Sequence, residues 1–244
     1  METEVKQTNN ILIPASIVVA GALIALAVFM NGNKGITTEV AKAPVAQVAP
    51  TQEEALAKIR AVTTDDHIRG NIDAPIKIVE YSDTECPFCK RFHATMQQVM
   101  NEYGPSDRVA WVYRHFPLDQ LHPIKARNEA TGFECANEQG GNDKFWAYAD
   151  RLYEITPSNN GLDPAELPKI AEYVGLDVAK FNTCLASNKF AQHIEDDAQN
   201  AVDTGGRGTP WSIVIAKNGK KYPINGAKPY EIIKQLIDSV LQER

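Results

Sequence analysis

Residues 76–103 read IKIVEYSDTECPFCKRFHATMQQVMNEY, and the fold is decided in this stretch. Ile76-Lys77-Ile78-Val79-Glu80-Tyr81 is a nearly continuous apolar run of strand length, the kind that suits a central strand covered on both faces by helices. From Lys90 to Tyr103 the period changes, and Phe92, Met96, Val99, Met100 and Tyr103 fall on one helical face. Between strand and helix lies Cys86-Pro87-Phe88-Cys89, two thiols that can close a small reversible disulfide. Cys86 takes the N-cap and Pro87 the first helical position, where its missing N–H costs nothing and its fixed φ suits the helix. The helix dipole and the free N–H groups of the first turn favour an anion at Cys86. The pattern therefore predicts Cys86 as the nucleophile and Cys89, shielded one turn further in, as the resolving thiol.

A Cys-x-x-Cys pair is also half of a zinc site or an inert staple. Zinc needs two further ligands, and Cys135 and Cys184 stand singly, which leaves His93 as the one obvious local candidate. The strand–motif–helix setting favours redox chemistry over both alternatives, and no metal ligand is assigned.

Residues 80–90, EYSDTECPFCK, resemble the active-site segment of the DsbA-like thiol:disulfide oxidoreductases. Arg114-His115-Phe116-Pro117-Leu118, the helical stretch with Cys135, Phe181-Asn182-Thr183-Cys184-Leu185 and Gly208-Thr209-Pro210 follow in the family's order, so the resemblance spans about residues 63–244. It implies an α/β thioredoxin-like fold with an inserted all-helical subdomain and oxidation of cysteine pairs in secreted proteins. It also implies a cis Pro210 opposite Cys86, with the Thr209 backbone pairing to an extended substrate strand, and a proton relay from Glu80 to Cys89. Glu80 at a solvent-reaching strand end is the other reading of that carboxylate. One departure concerns Phe88, where the strongest oxidants of the family carry His.

The hydrophobic content of 43% is that of an ordinary globular protein, and the formal charge of −6 with no basic stripe argues against a nucleic-acid partner. After a tail of residues 1–10, residues 11–30 carry no charge and are long enough as a helix to cross a bilayer. A cleaved signal peptide is the competing reading, but the apolar run continues past the small-x-small triplet Ala25-Leu26-Ala27, so an uncleaved transmembrane anchor is expected. Residues 31–62 read as a linker containing a short helix after Gln52, and the folded domain opens near Thr63. A second strand is expected over 108–116, and helices over 122–139, 142–153, 163–174, 177–187 and 189–204, with N-caps at Asp163 and Asp177. That places a helical insertion at about 118–205. Trp211 to Ile215 and Lys221 to Ile224 form a hairpin about Asn218-Gly219, and Pro229 opens a closing helix. His115 and His122 read as solvated or core residues, since no metal-ligand spacing connects them.

Paired cysteines persist outside the reducing cytosol, so the domain is expected on the extracytoplasmic side, in the periplasm or at the cell surface, held to the membrane by residues 11–30. The same address favours a structural disulfide between Cys135 and Cys184 over two buried free thiols. The expected activity is donation of the Cys86–Cys89 disulfide to reduced, incompletely folded proteins, with no organic cofactor and with a DsbB-like or quinone-linked membrane reoxidase as partner. A disulfide isomerase or reductase is the nearest enzymatic alternative. A metal-binding or holdase protein using Cys86, Cys89 and His93 without turnover belongs to a different class.

Overall fold

The computed structural model describes residues 50–243. The tail 1–10, the apolar segment 11–30 and residues 31–49 of the expected linker lie outside the described residues. No helix among the described residues is long and apolar enough to cross a membrane.

One five-stranded sheet is built from β1 (His67–Arg69), β2 (Ile76–Ser82), β3 (Val109–His115), β4 (Trp211–Ala216) and β5 (Lys221–Asn225), in the spatial order β1-β3-β2-β4-β5. β2 and β3 run parallel with Ile78 opposite Trp111, and every other neighbouring pair is antiparallel. The short β1 had no signature of its own; it is defined by its pairing to β3. Strand alternation sends successive side chains to opposite faces. Ile76 and Ile78 join Trp111 and Val214 in one core, under α2 (Pro87–Tyr103) and α7 (Tyr230–Gln242). Val79, Tyr81, Val112 and Ile213 face the other way into a second core, closed by Leu56 of α1 (Gln52–Leu56) and by Ala198 and Ala201 of α6 (Ala191–Asp203). The uninterrupted apolar run of β2 therefore supplies both layers. Phe92 and Met96 of α2 are fully buried against the first face, and truncating Phe92 to Ala would cost roughly 3–5 kcal/mol.

Between β3 and β4 the chain is helical: α3 (Lys125–Ile155), α4 (Glu166–Tyr173), α5 (Val178–Ala186) and then α6. This is the thioredoxin-like arrangement with a helical insertion. α3 carries both expected helices of its region, bent where Gly140 and Gly141 leave helical geometry, Gly141 at φ 68°. Asp177 caps α5 by accepting the Lys180 N–H at 3.1 Å. Asp163 instead accepts the Ala165 N–H at 2.9 Å in a preceding turn, so α4 begins at Glu166 and not at Asp163. Cys135 of α3 and Cys184 of α5 are disulfide-bonded, with Cα atoms 5.8 Å apart. In α7, Ile233 and Ile237 are buried, whereas Ile232 is exposed.

Residues 50–62 of the expected linker belong to the folded unit. Asn200 accepts the Arg60 N–H and donates to the Lys58 carbonyl at 2.9 Å. Buried Arg114 donates to the Arg60 and Ala61 carbonyls and pairs with Asp66 at 2.8 Å. Each of these groups satisfies backbone that has no secondary structure of its own, which is why no local period announced the segment.

Candidate active site

β2 ends at Ser82, and the chain crosses to α2 through Asp83-Thr84-Glu85-Cys86. Cys86 is the N-cap of α2, in extended geometry at φ −79° and ψ 120°, with Pro87 as the first helical residue. Both cysteines are free thiols in this structure. Cys89 has no exposed surface and Cys86 keeps 5%, so the expected order of access is present, although Cys86 is recessed and not openly exposed. The recess is made by the loop before β4: Thr209-Pro210 is a cis peptide, and the Thr209 carbonyl lies 3.5 Å from Cys86 Sγ.

The two thiols have opposite electrostatics. A hydrogen bond from Cys89, with the Thr209 side chain and the Phe88 and Cys89 N–H groups aiding it against burial, lowers the Cys86 thiol to about 6. Burial first, and then the neighbouring Cys86 and Glu80, push Cys89 well above an ordinary thiol, despite the Asp83 N–H that lies 3.4 Å from its sulfur. Glu80 is 1% exposed, on the same strand face as Ile76 and Ile78, which removes the solvent-reaching reading. Trp111 Nε1–H donates to one of its oxygens at 2.9 Å and the other has no partner. Burial raises this carboxyl to about 7, against the pull of Ser82 and Trp111 and with a further push from Cys86.

Several charged neighbours act differently from their sequence positions. Asp83 and Glu85 stand just before Cys86 in the chain, but both are buried and committed to holding the insertion in place. Asp83 accepts from Glu85 N, Leu118 N and His122 Nδ1 at 2.7–2.9 Å. Glu85 accepts from Gly161 N at 3.2 Å and from Leu162 N at 3.4 Å. Lys90 points its ammonium at the Thr156 carbonyl, 2.6 Å away, and the Arg91 guanidinium lies 5.1 Å above the Phe88 ring. Support for a thiolate therefore comes from the helix terminus, Cys89 and Thr209, not from these cations. Phe88 is 52% exposed beside the thiols.

His93 Nε2 bonds Asp150 at 2.7 Å and its ring stacks on Tyr153, so it is engaged away from the cysteines. Among the described residues, Cys86, Cys89 and His93 do not form a cluster of metal-ligand atoms. His122 is buried and tied to the active-site turn through Asp83, whereas His115 bonds Glu134 and packs near Phe133 and Phe145. One buried group went unread: Glu129, raised to about 9 by burial and then by Glu85. It stands four residues before Phe133, on the same helical face, so a carboxylate on a buried stripe was the available signal.

A recessed thiol at a helix N-terminus, backed by a buried second thiol and faced by a cis-proline loop, defines a thiol–disulfide exchange site on a thioredoxin-like scaffold. A family model described as Thioredoxin matches residues 62–239, and the chain belongs to that family, within its DsbA-like branch. Among solved structures, DsbA2 of Pseudomonas aeruginosa is 28% identical with a TM-score of 0.64, over 75% of this chain and 100% of that one. BdbD of Bacillus subtilis, at 23% identity and a TM-score of 0.63 over 73% of this chain and 94% of that one, is similar in fold. Among curated proteins, the Na(+)/H(+) antiporter NhaA 1 of Mycolicibacterium vanbaalenii is 34% identical over 170 residues. That match takes in 68% of this chain but 26% of the antiporter, so the chain spans about a quarter of the length of this curated relative.

Proposed function

We propose that this protein is a membrane-anchored, extracytoplasmic disulfide donor acting on reduced, incompletely folded secreted proteins. The observation that carries the reading is the divergence of the two thiols, Cys86 lowered to about 6 and Cys89 raised, across one helical turn. In the oxidised enzyme a substrate thiolate attacks Cys86 Sγ, forming a mixed disulfide and breaking the Cys86–Cys89 bond. The electron pair goes to Cys89, whose buried sulfur takes up a proton; Glu80, raised to about 7, is its donor near neutrality. A second substrate thiolate then attacks the substrate sulfur of the mixed disulfide and expels Cys86 as a thiolate, the better leaving group because its conjugate thiol is the more acidic. The substrate has lost two electrons and the enzyme holds them as two thiols. A membrane reoxidase removes them. The Thr209 backbone offers an extended substrate segment a strand-like partner beside Cys86, and exposed Phe88, Leu121 and Ile124 supply apolar surface for unfolded chains. The anchor in this reading is the uncharged run 11–30.

Cys86→Ala is expected to abolish oxidation of a reduced model protein, and Cys89→Ala to accumulate a mixed disulfide through Cys86. Peptide mapping of the trapped adduct checks this. An adduct on Cys89 in the Cys86→Ala variant, with none on Cys86 in the other, reverses the assignment.

A further inference from the structure

Apart from the cysteine turn, three imidazoles and one carboxylate converge from four separate elements. His67 of β1 and His115 of β3 place their Nε2 atoms 2.7 and 2.8 Å from one and the same oxygen, Glu134 Oε1 of α3. His193 of α6 brings its Nε2 to 3.6 Å from that oxygen. His67, His115 and Glu134 are buried, with ligand atoms all within 4.8 Å of one another, while the His193 side chain is 41% exposed and forms the mouth of the cluster. A carboxylate oxygen has two lone pairs, so hydrogen bonds in its plane serve two of these rings and leave the third without a full partner. A cation among His67, His115 and Glu134 serves those three groups at once, with His193 beside it at 3.6 Å from the shared oxygen.

The rings are held in place from behind. His67 stacks on Phe145 with centroids 3.6 Å apart, and His115 lies edge-on to Tyr113 at 5.4 Å. Asp197 accepts the His115 backbone N–H at 3.0 Å, which fixes the main chain beneath that ring, and the same oxygen lies 3.9 Å from His193 Nε2.

We propose that His67, His115, His193 and Glu134 form a binding site for a divalent late first-row transition metal, zinc above all, that pins the helical insertion to the β1–β3 edge of the sheet. Three imidazoles and a carboxylate are a ligand set for zinc, whereas calcium and magnesium take shells of oxygen. Zinc bonds of about 2.0–2.1 Å place tetrahedral ligand atoms about 3.3–3.4 Å apart. The His193–Glu134 separation of 3.6 Å is already of that size, and the two shorter contacts widen when their shared protons leave. His193, outside the group of three but half-exposed, turns its ring onto the cation as the fourth protein ligand and leaves no vacant position, so the proposed role is structural.

The test is calorimetric titration of the full chain with zinc ion, the Cys86–Cys89 disulfide closed so that neither sulfur is a ligand, with calcium and magnesium as controls. One zinc per chain is expected, with no heat from the controls. His193→Ala, at an exposed position that leaves the fold intact, is expected to weaken zinc binding by about tenfold or more, and Glu134→Gln to do the same. X-ray absorption at the zinc edge is expected to show nitrogen and oxygen neighbours only. Absence of zinc uptake, a sulfur neighbour, or uptake unchanged in His193→Ala overturns the proposal. Because the disulfide stays closed throughout, these outcomes are independent of whether the chain donates disulfides.

Discussion

Glu80→Gln separates the effect of a buried charge from the effect of a buried shape. The Glu80 carboxyl is fully enclosed, accepts one hydrogen bond from Trp111 at 2.9 Å and leaves its second oxygen without a partner. Burial raises it from 4.5 to about 7, so an unfolded chain releases this proton at lower pH than the folded one. Between those two values unfolding sheds a proton, and the native state loses stability as pH rises; above the higher value the full cost persists. At about 1.4 kcal/mol per unit, the gap corresponds to about 3 kcal/mol. Gln keeps the acceptor facing Trp111 but cannot ionise. The substitution should therefore stabilise the protein by about 3 kcal/mol more at about pH 8 than at about pH 4, whatever constant term the new amide adds at both. Denaturant unfolding of the oxidised form at the two pH values measures this, since the closed disulfide removes the Cys86 charge, a lesser contributor, and other buried acids such as Glu129 cancel in the difference. Equal effects at both pH values would refute the argument that Glu80 is a buried acid titrating near neutrality, and with it the proton donation to Cys89.

Replacing both Cys135 and Cys184 by Ser, which opens a bridge of sequence separation 49, should cost about 4 kcal/mol in the chain-entropy account, with disulfide transfer retained; thermal and denaturant unfolding beside a transfer assay check both halves. Phe88→His places an imidazole beside a thiolate that now receives only N–H, thiol and Thr209 contacts, and should lower the Cys86 thiol below about 6. Because a stabilised thiolate stabilises the reduced form, the same variant should be more oxidising, by about 30 mV for each tenfold change in equilibrium. Thiolate absorbance against pH and the glutathione equilibrium read the two effects, and no movement in either would remove residue 88 as the tuning element.

The parts of this molecule that obey a local period were legible in the sequence. β2 showed its burial on both faces through an unbroken apolar run, α2 its buried face through Phe92, Met96 and Val99, and the hairpin its turn through Asn218-Gly219, where Gly219 adopts φ 84°. The Cys86 to Cys89 turn was legible because a strand, a proline at the first helical position and a helix stand in immediate succession. What could not be read depends on partners distant in sequence. β1 exists only by pairing with β3, and residues 58–66 are held by Arg114 and Asn200, which lie about fifty and one hundred and forty positions away. The directions taken by Asp83, Glu85 and Lys90 follow from carbonyls and N–H groups distant in sequence, so their nearness to Cys86 in the chain does not reveal what they bond. The convergence of His67, His115, Glu134 and His193 likewise has no spacing to announce it, since each residue comes from a different element.

The reduction potential of the Cys86–Cys89 pair tests the central claim most directly. A thiol at about 6 lies between the nucleophilic cysteines of thioredoxin, near 7, and of the strongly oxidising DsbA, near about 3.5. The potential should accordingly fall between about −270 mV and about −120 mV. Equilibration of the full chain against glutathione buffers, with the fraction oxidised read by thiol alkylation, gives the value. A result inside that interval is what a disulfide donor requires, and one at or below about −270 mV would make the chain a reductant and contradict the account.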